Sequence, residues 1–530
     1  MNDTAYALAI DLGTSGPKAA VVSTRGHTIG TARSSVTTIR LADGGVEQDP
    51  EEIWAAVRSA SKAAIEAADV PADQIVSVIV ASQYSSIVPV DDEGTAIANM
   101  IIWQDQRGSK KKLSRSHGMP KSADSPLDQL RWLRTHGLPP IAGGISMTHM
   151  RYFKYARPDV YQRTAAFLEP MDYLNLRLTG RVATNQCSAL MFLMTDNRRL
   201  DTTDYDPALV SASLIDRAKL PEILPMDAVV GTLLPAVADE LGLSPSTAVI
   251  TGLNDTQAGA MGAGAFAGDH AAISIGSTAV MVSHVGFKRT DILNAILSMP
   301  SPVPDTYFIM AENGMAGAAL ERFVSAIVFP DDAFGGSTPT ETAERYAGLQ
   351  RVVDGVPAGS DGLIFMPWLS GSMAPKADDH MRGGFVNISA TTTRAHMARA
   401  VLEGIAMNLR WVRDPAEKFA KRTFSHFIVY GGGSRSDALC QIIADTLNAP
   451  VHRMADSDYT VCIGAGMLAL ERLGRVSLAD IATSVRTGQV FEPDADRAAV
   501  YDALFPHFVK AFNANKPVIK RINKAMARFR

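Results

Sequence analysis

The stretch that most constrains the fold is residues 7–23, ALAIDLGTSGPKAAVVS. Two apolar runs, 7–10 and 19–22, flank a short loop holding Gly13, Thr14, Ser15 and Gly16. Such runs on either side of a glycine-rich turn predict a β-hairpin. Asp11 stands at the mouth of the turn and Lys18 on its far side. Backbone N–H groups in a Gly/Ser/Thr turn can converge on an anion, because glycine admits close approach and hydroxyls add donors. A carboxylate beside such a nest would repel a phosphate. It becomes useful if Mg²⁺ lies between them, since that ion takes one or two carboxylates together with phosphate oxygens and water. The residues support two readings: a phosphate-and-magnesium turn, or an ordinary hairpin closed by an Asx-type turn.

The plan recurs half a chain later. Residues 271–284, AAISIGSTAVMVSH, again place a turn, Gly276-Ser277-Thr278, between apolar runs. Two copies at this separation predict a duplicated pair of α/β domains whose turns face each other across a cleft. Ser274 stands where the first copy has Asp11, so one half alone brings a carboxylate. A length of 530 residues is too great for one core and fits two large domains, here divided as 1–253 and 254–530, with the last helix expected to pack back on the first domain.

Further segments line the expected cleft. Residues 75–81 are a β-branched strand running into Ser82-Gln83-Tyr84-Ser85-Ser86, and a second apolar run ends at Trp103-Gln104-Asp105-Gln106-Arg107. Polar groups at two strand ends suggest a pocket rim or, alternatively, two surface loops. Asn254-Asp255 separates a strand from a small-residue helix. Asp255 is either that helix's N-cap or a general base for a substrate hydroxyl. Strand 427–430 leads into Gly431-Gly432-Gly433-Ser434-Arg435-Ser436 and a helix from Asp437, a unit that lets a flat base or ribose lie on bare backbone. The basic run Lys110-Lys111-Lys112 with Arg115 reads as a solvated helix face.

Net charge is small, 51 basic against 55 acidic residues, or −4. That argues against a general nucleic-acid or anionic-membrane binder. Three widely spaced cysteines give neither a disulfide framework nor zinc spacing, so a reducing cytoplasm is expected. No basic leader and no apolar run long enough for a membrane span is evident.

Taken together, AIDLGTSGPKA (9–19), EQDPEEIW (47–54), WQDQR (103–107), GLNDTQAGAMGAG (252–264) and GGGSRSDALCQIIADTLNAPV (431–451) resemble the FGGY carbohydrate kinases, with RGGF (382–385) and RAVLEGIA (399–406) adding to the match. The resemblance implies a duplicated actin/hexokinase-like, ribonuclease H-like ATPase fold with ATP in the interdomain cleft. It implies that Gly13, Thr14, Ser15 and Lys18, with Gly276, Ser277 and Thr278, hold phosphates, and that Asp11 sits by Mg²⁺. Gly432, Gly433, Ser434 and Asp437 would lie by the adenosine. Asp255 would be the base, and Gln83, Tyr84, Trp103, Asp105 and Asn254 would contact the sugar.

The pattern is closest to xylulose kinase-like members, implying a pentulose such as D-xylulose. Gln83-Tyr84-Ser85-Ser86 replaces their usual Gln-Met-His-Gly, Gln104-Asp105-Gln106-Arg107 replaces Asn-Asp-x-Arg, and Gly371-Ser372-Met373 replaces Gly-Glu-Arg. These departures lie at the pocket rim and keep glycerol, erythritol, gluconate and a hexulose open as substrates. The expected partner is a small sugar or polyol, with homodimerisation left open. An actin- or chaperone-like ATPase is the competing class. A nicotinamide oxidoreductase would need G-x-G-x-x-G, where Ser436 replaces the last glycine.

Overall fold

The computed structural model describes residues 5–140, 143–328, 342–526 and 529, excluding the side chains of 342–347. The opening stretch forms the predicted hairpin, β1 (Tyr6–Gly13) and β2 (Gly16–Ser23), in register from Tyr6↔Ser23 to Gly13↔Gly16. Next come β3 (Thr28–Arg33), α1 (Pro50–Ala68) and β4 (Ile75–Ser82). The Asp49 carboxylate accepts from Glu51 N at the start of α1, with Pro50 in the first turn. An outer group of helices follows, with α2 (Lys110–Ser116), α3 (Pro126–Thr135), α4 (Ser146–Ala156) and α5 (Pro170–Thr179). The first half closes with β5 (Val229–Thr232), β6 (Ala248–Asn254) and α6 (Asp255–Gly262).

The second half runs β7 (Ala271–Ile275), β8 (Thr278–Val285), β9 (Thr290–Asp291), β10 (Ile296–Pro300), β11 (Tyr307–Met315), α7 (Gly317–Phe323), α8 (Arg394–Ala420), β12 (Phe427–Tyr430), α9 (Asp437–Leu447), β13 (Val451–Met454), α10 (Thr460–Arg472), β14 (Thr487–Phe491) and α11 (Ala495–Met526).

The duplication is written in the sheets. The first has order β5-β6-β4-β1-β2-β3, with β4 parallel to β1 and β6 and the outer pairs antiparallel. The second has order β9-β10-β11-β8-β7-β12-β13-β14, with β12 parallel to β7 and β13 and the others antiparallel. From β11 to β14 its pairing senses reproduce the first sheet strand for strand, and β9 and β10 are an addition at one edge.

Alternation along β1 decides what covers each face. Leu8 and Ile10 pack with Ile53, Val57 and Ala60 of α1. Ala7 and Ala9, joined by Ala20 of β2, face Cys462, Ala465 and Leu468 of α10. One face of the first sheet is thus closed by a helix from far down the chain. The small residues are what let it in. A Cβ on Gly464 would lie 1.9 Å from Ala258 O of α6, and one on Gly466 would lie 2.7 Å from Val22 Cβ. The segment Gly464-Ala465-Gly466 therefore sits inside α10 as a packing surface.

The last helix, α11, does not return to the first domain. Its buried Tyr501, Phe508 and Phe512 belong to the second core, where Phe512 packs edge-on against Trp368 at 4.8 Å. Aromatic bulk on one stripe of α11 outweighs its basic outer face in deciding where it docks. All three cysteines are buried and free, and among the described residues no helix is long and apolar enough to cross a membrane.

Gly464→Ala should force α6 and α10 apart and lower the denaturation midpoint, at a cost of about 2 kcal/mol as for other overpacked cores. An unchanged midpoint in urea unfolding would contradict the tight crossing.

Candidate active site

Both hairpin turns present backbone amides outward because their carbonyls are taken from behind. In the second turn, Gly276 O accepts from Gly317 N at 3.0 Å, and Ser277 O accepts from Ala316 N and Ala318 N at 2.9 and 3.1 Å. A trans peptide carries its N–H opposite its C=O, so Ser277 N–H and Thr278 N–H point away from α7. Gly276 and Ser277 are exposed. In the first turn Thr14 O accepts from Gln48 Nε2 at 2.8 Å and Ser15 O from Val36 N at 3.1 Å, which turns Ser15 N–H outward in the same way. Gly16 holds φ +131°, and a Cβ there would lie 2.2 Å from Ser34 O. The loops differ in length: Gly13 pairs with Gly16 around two residues, whereas Gly276 N donates to Thr278 O around Ser277 alone.

The first turn is tied to the polar rim. Thr14 Oγ1 donates to Gln83 Oε1 at 2.7 Å and accepts from Trp103 Nε1 at 3.1 Å, and Gln83 Nε2 donates to Gln48 Oε1 at 2.9 Å. Gln48, which the sequence did not single out, thus braces both the turn and the rim. Its place beside the Asp49 cap of α1 was the available signal.

Asp11 is buried on β1, with Lys18 Nζ 3.8 Å away. Lys18 Nζ is also drawn to Asp458 O at 3.0 Å. Burial raises the Asp11 carboxyl above its usual range, and Lys18 only partly offsets that. Among the described residues no group of three His, Cys, Asp or Glu could hold a metal ion.

Asp255 is not the helix cap. Asn254 is: its Oδ1 accepts from Gln257 N at 2.8 Å, and its Nδ2 donates to Gln257 Oε1 at 3.0 Å. Asp255, the first residue of α6, accepts from Thr256 Oγ1 at 3.1 Å and from the Thr256 backbone, and makes no ion pair among the described residues. Burial, then the charge of Asp11, lifts its carboxyl to about 7, with a smaller contribution from Glu312. Glu312 on β11 is a residue that sequence reading missed. Its side chain makes no hydrogen bond or ion pair among the described residues, and burial lifts it to about 7. A lone carboxylate inside the apolar strand YFIMAENGM was the signal. Tyr84 reaches across from the first half, its hydroxyl donating to Met310 Sδ at 3.5 Å, two residues along β11 from Glu312. Burial raises the Tyr84 hydroxyl far above its ordinary value, so it stays protonated.

Three expected contacts are closed off. Asp105 is fully buried, its Oδ2 accepting from Val46 N at 3.0 Å and Arg107 Nε at 2.8 Å and its Oδ1 from Arg107 N at 2.7 Å. The pull of the Arg107 guanidinium draws it behind the rim. Asn254, 2% exposed, has both polar atoms committed to Gln257. Ser434 is buried, its hydroxyl donating to Gly431 O at 2.7 Å within the glycine loop. In that loop a Cβ on Gly433 would strike Ile275 Cγ2 at 2.3 Å, so Gly433 lets the loop lie down on β7, whereas Gly432 faces open space. Asp437 is half-exposed and paired with Arg453 Nη1 at 2.6 Å.

Family models of the FGGY carbohydrate kinases match the chain over most of its length, the N-terminal domain at residues 6–262 and the C-terminal domain at 271–471. The chain belongs to the FGGY family of carbohydrate kinases. It is therefore an ATP-dependent sugar phosphotransferase. Similar relatives include a xylulose kinase of Bacillus subtilis, 27% identical over 529 residues and 99% of each chain. A gluconokinase of Bacillus licheniformis is 23% identical over 522 residues, 96% of each chain. Among solved structures, a ligand-bound xylulose kinase from Lactobacillus acidophilus superposes with a TM-score of 0.82 at 24% identity, covering 98% of this chain and 99% of that one. The two-domain α/β fold expected from the hairpin repeat is the fold of these FGGY kinases.

The raised Asp255 carboxyl has a cost in stability. Its pKa is 3.8 when unfolded and about 7 when folded, so between those values the folded state holds more protons and stability falls as pH rises. Asp255→Asn should therefore melt above the parent at pH 8, by about 1 kcal/mol or more, and alike at pH 4. Equal melting temperatures at pH 8 would contradict the raised pKa.

Proposed function

We propose that this kinase phosphorylates a neutral pentulose such as D-xylulose, with Asp255 as general base. The observation that carries the reading is Asp255 itself. It is a partly buried carboxylate released from capping duty, its pKa pushed up to about 7 and with no ion pair among the described residues. A sugar hydroxyl seated against it would give up its proton to the carboxylate as the oxygen attacks the terminal phosphoryl group of ATP. Phosphoryl transfer needs position and charge stabilisation more than covalent help. The outward amides of Ser15, Ser277 and Thr278, with Lys18, supply donors for the phosphate oxygens. Open backbone at Gly432 suits the nucleoside, and Asp437 borders it. Gln83, Tyr84 and Trp103 suit the sugar.

Mg²⁺ fits the donor set at Asp11, a single buried carboxylate beside a phosphate turn. When bound it would screen the charge of the polyphosphate. The described residues offer Asp11 and no complete cage, so the ion would arrive with the nucleotide.

A neutral substrate is favoured over an acid such as gluconate because Asp255 and Glu312 bring negative charge to the sugar side, and like charges repel in a partly desolvated cleft. The names of the relatives allow either, since both xylulose kinases and gluconokinases are among them.

Coupled ADP release with D-xylulose, D-gluconate, glycerol and erythritol tests the substrate. The highest kcat/KM is expected for D-xylulose, and a higher value for gluconate would overturn this choice. Asp255→Ala should lower kcat by about 10²–10⁴-fold with ATP binding nearly intact. Turnover close to the parent's would refute the base. The acid limb of the parent's kcat/KM profile should fall below about pH 7, because only the ionised carboxylate accepts a proton.

A further inference from the structure

The basic run on α2 borders a cavity that the phosphotransfer reading leaves unused. It has a volume of about 630 Å³ and lies between α2, the segment leading into α3, and α4. That volume is within the range of small-molecule sites, about 300–1,000 Å³. Its walls carry Lys110, Lys111, Arg115 and Lys121, and none of the residues argued above to serve phosphotransfer. Asp124 is the one carboxylate in the lining, and both its oxygens are committed to Arg151, at 3.0 and 2.9 Å. Lys110 Nζ donates to Ala123 O. Lys111, Arg115 and Lys121 are exposed and make no ion pair among the described residues.

Several cations turned into one concavity repel one another, and a low-dielectric wall strengthens that field. We propose that this cavity is a second anion site, taking a small molecule with two or more phosphate or carboxylate groups. The ligand's oxygens would accept from Lys111, Arg115 and Lys121. The site is independent of the sugar substrate assigned above. It lies next to the rim, since α2 follows directly on the loop bearing Trp103 and Ser109 N donates to Gln106 O at 3.3 Å.

The test is calorimetric titration of the full chain at low salt, with saturating ADP present to occupy the nucleotide cleft. The probes are inorganic pyrophosphate and citrate. The parent is compared with the double variant Lys111→Ala/Lys121→Ala, whose exposed positions leave the core untouched. The parent should bind at least one probe, with affinity falling steeply as NaCl is added. The double variant should bind about tenfold or more weakly, with kcat and sugar KM unchanged. Binding of pyrophosphate alone assigns a phosphate ligand, citrate alone a polycarboxylate, and both a general polyanion. Equal affinity in parent and variant, or no binding of either probe by the parent, would overturn the proposal.

Discussion

The close crossing of α10 over the first sheet is the contact on which the two halves depend. Alanine at positions 7, 9 and 20 lowers one face of the sheet, and glycine at 464 and 466 lowers the helix that meets it. Dispersion and burial act at short range, so removing Cβ atoms on both sides turns a loose crossing into a packed one. The hairpin that bears Asp11 and the first glycine turn is thereby held by residues from both ends of the chain.

Around that frame, the polar chemistry is arranged by deciding which groups are already spent. Asn254 caps α6 and leaves Asp255 unspent. Arg107 saturates Asp105, and Gly431 O takes the Ser434 hydroxyl. The carbonyls of Thr14, Ser15, Gly276 and Ser277 are bonded from behind, which turns amides toward the open side. The satisfied neighbours set off what remains: Asp255 and Glu312 make no ion pair among the described residues, and Asp11 has Lys18 alone beside it at 3.8 Å among them.

Much of this was legible in the sequence because it rests on local patterns. Both hairpins and the helix that begins at Asp437 follow from alternation and turn chemistry, which act over a few residues. What stayed hidden depends on which of several possible partners a side chain takes, near or far, and spacing alone does not decide that. Asp255 and Asn254 are adjacent and either could cap a helix; only the three-dimensional bond to Gln257 separates them. Asp105 looked like a rim residue because nothing local shows Arg107 folding back onto it. Glu312 owes its role to which face of β11 meets Tyr84, and α11 to which core has room for its aromatic stripe.

The paired turns differ where it matters: Asp11 in one, Ser274 in the other. Two identical chains related by a two-fold axis must present the same side chain on both sides of whatever they enclose. A single chain is free of that constraint, so position 11 can hold a carboxylate while position 274 holds a hydroxyl. One chain bearing both halves is thus what permits the two copies of one hairpin to carry different chemistry.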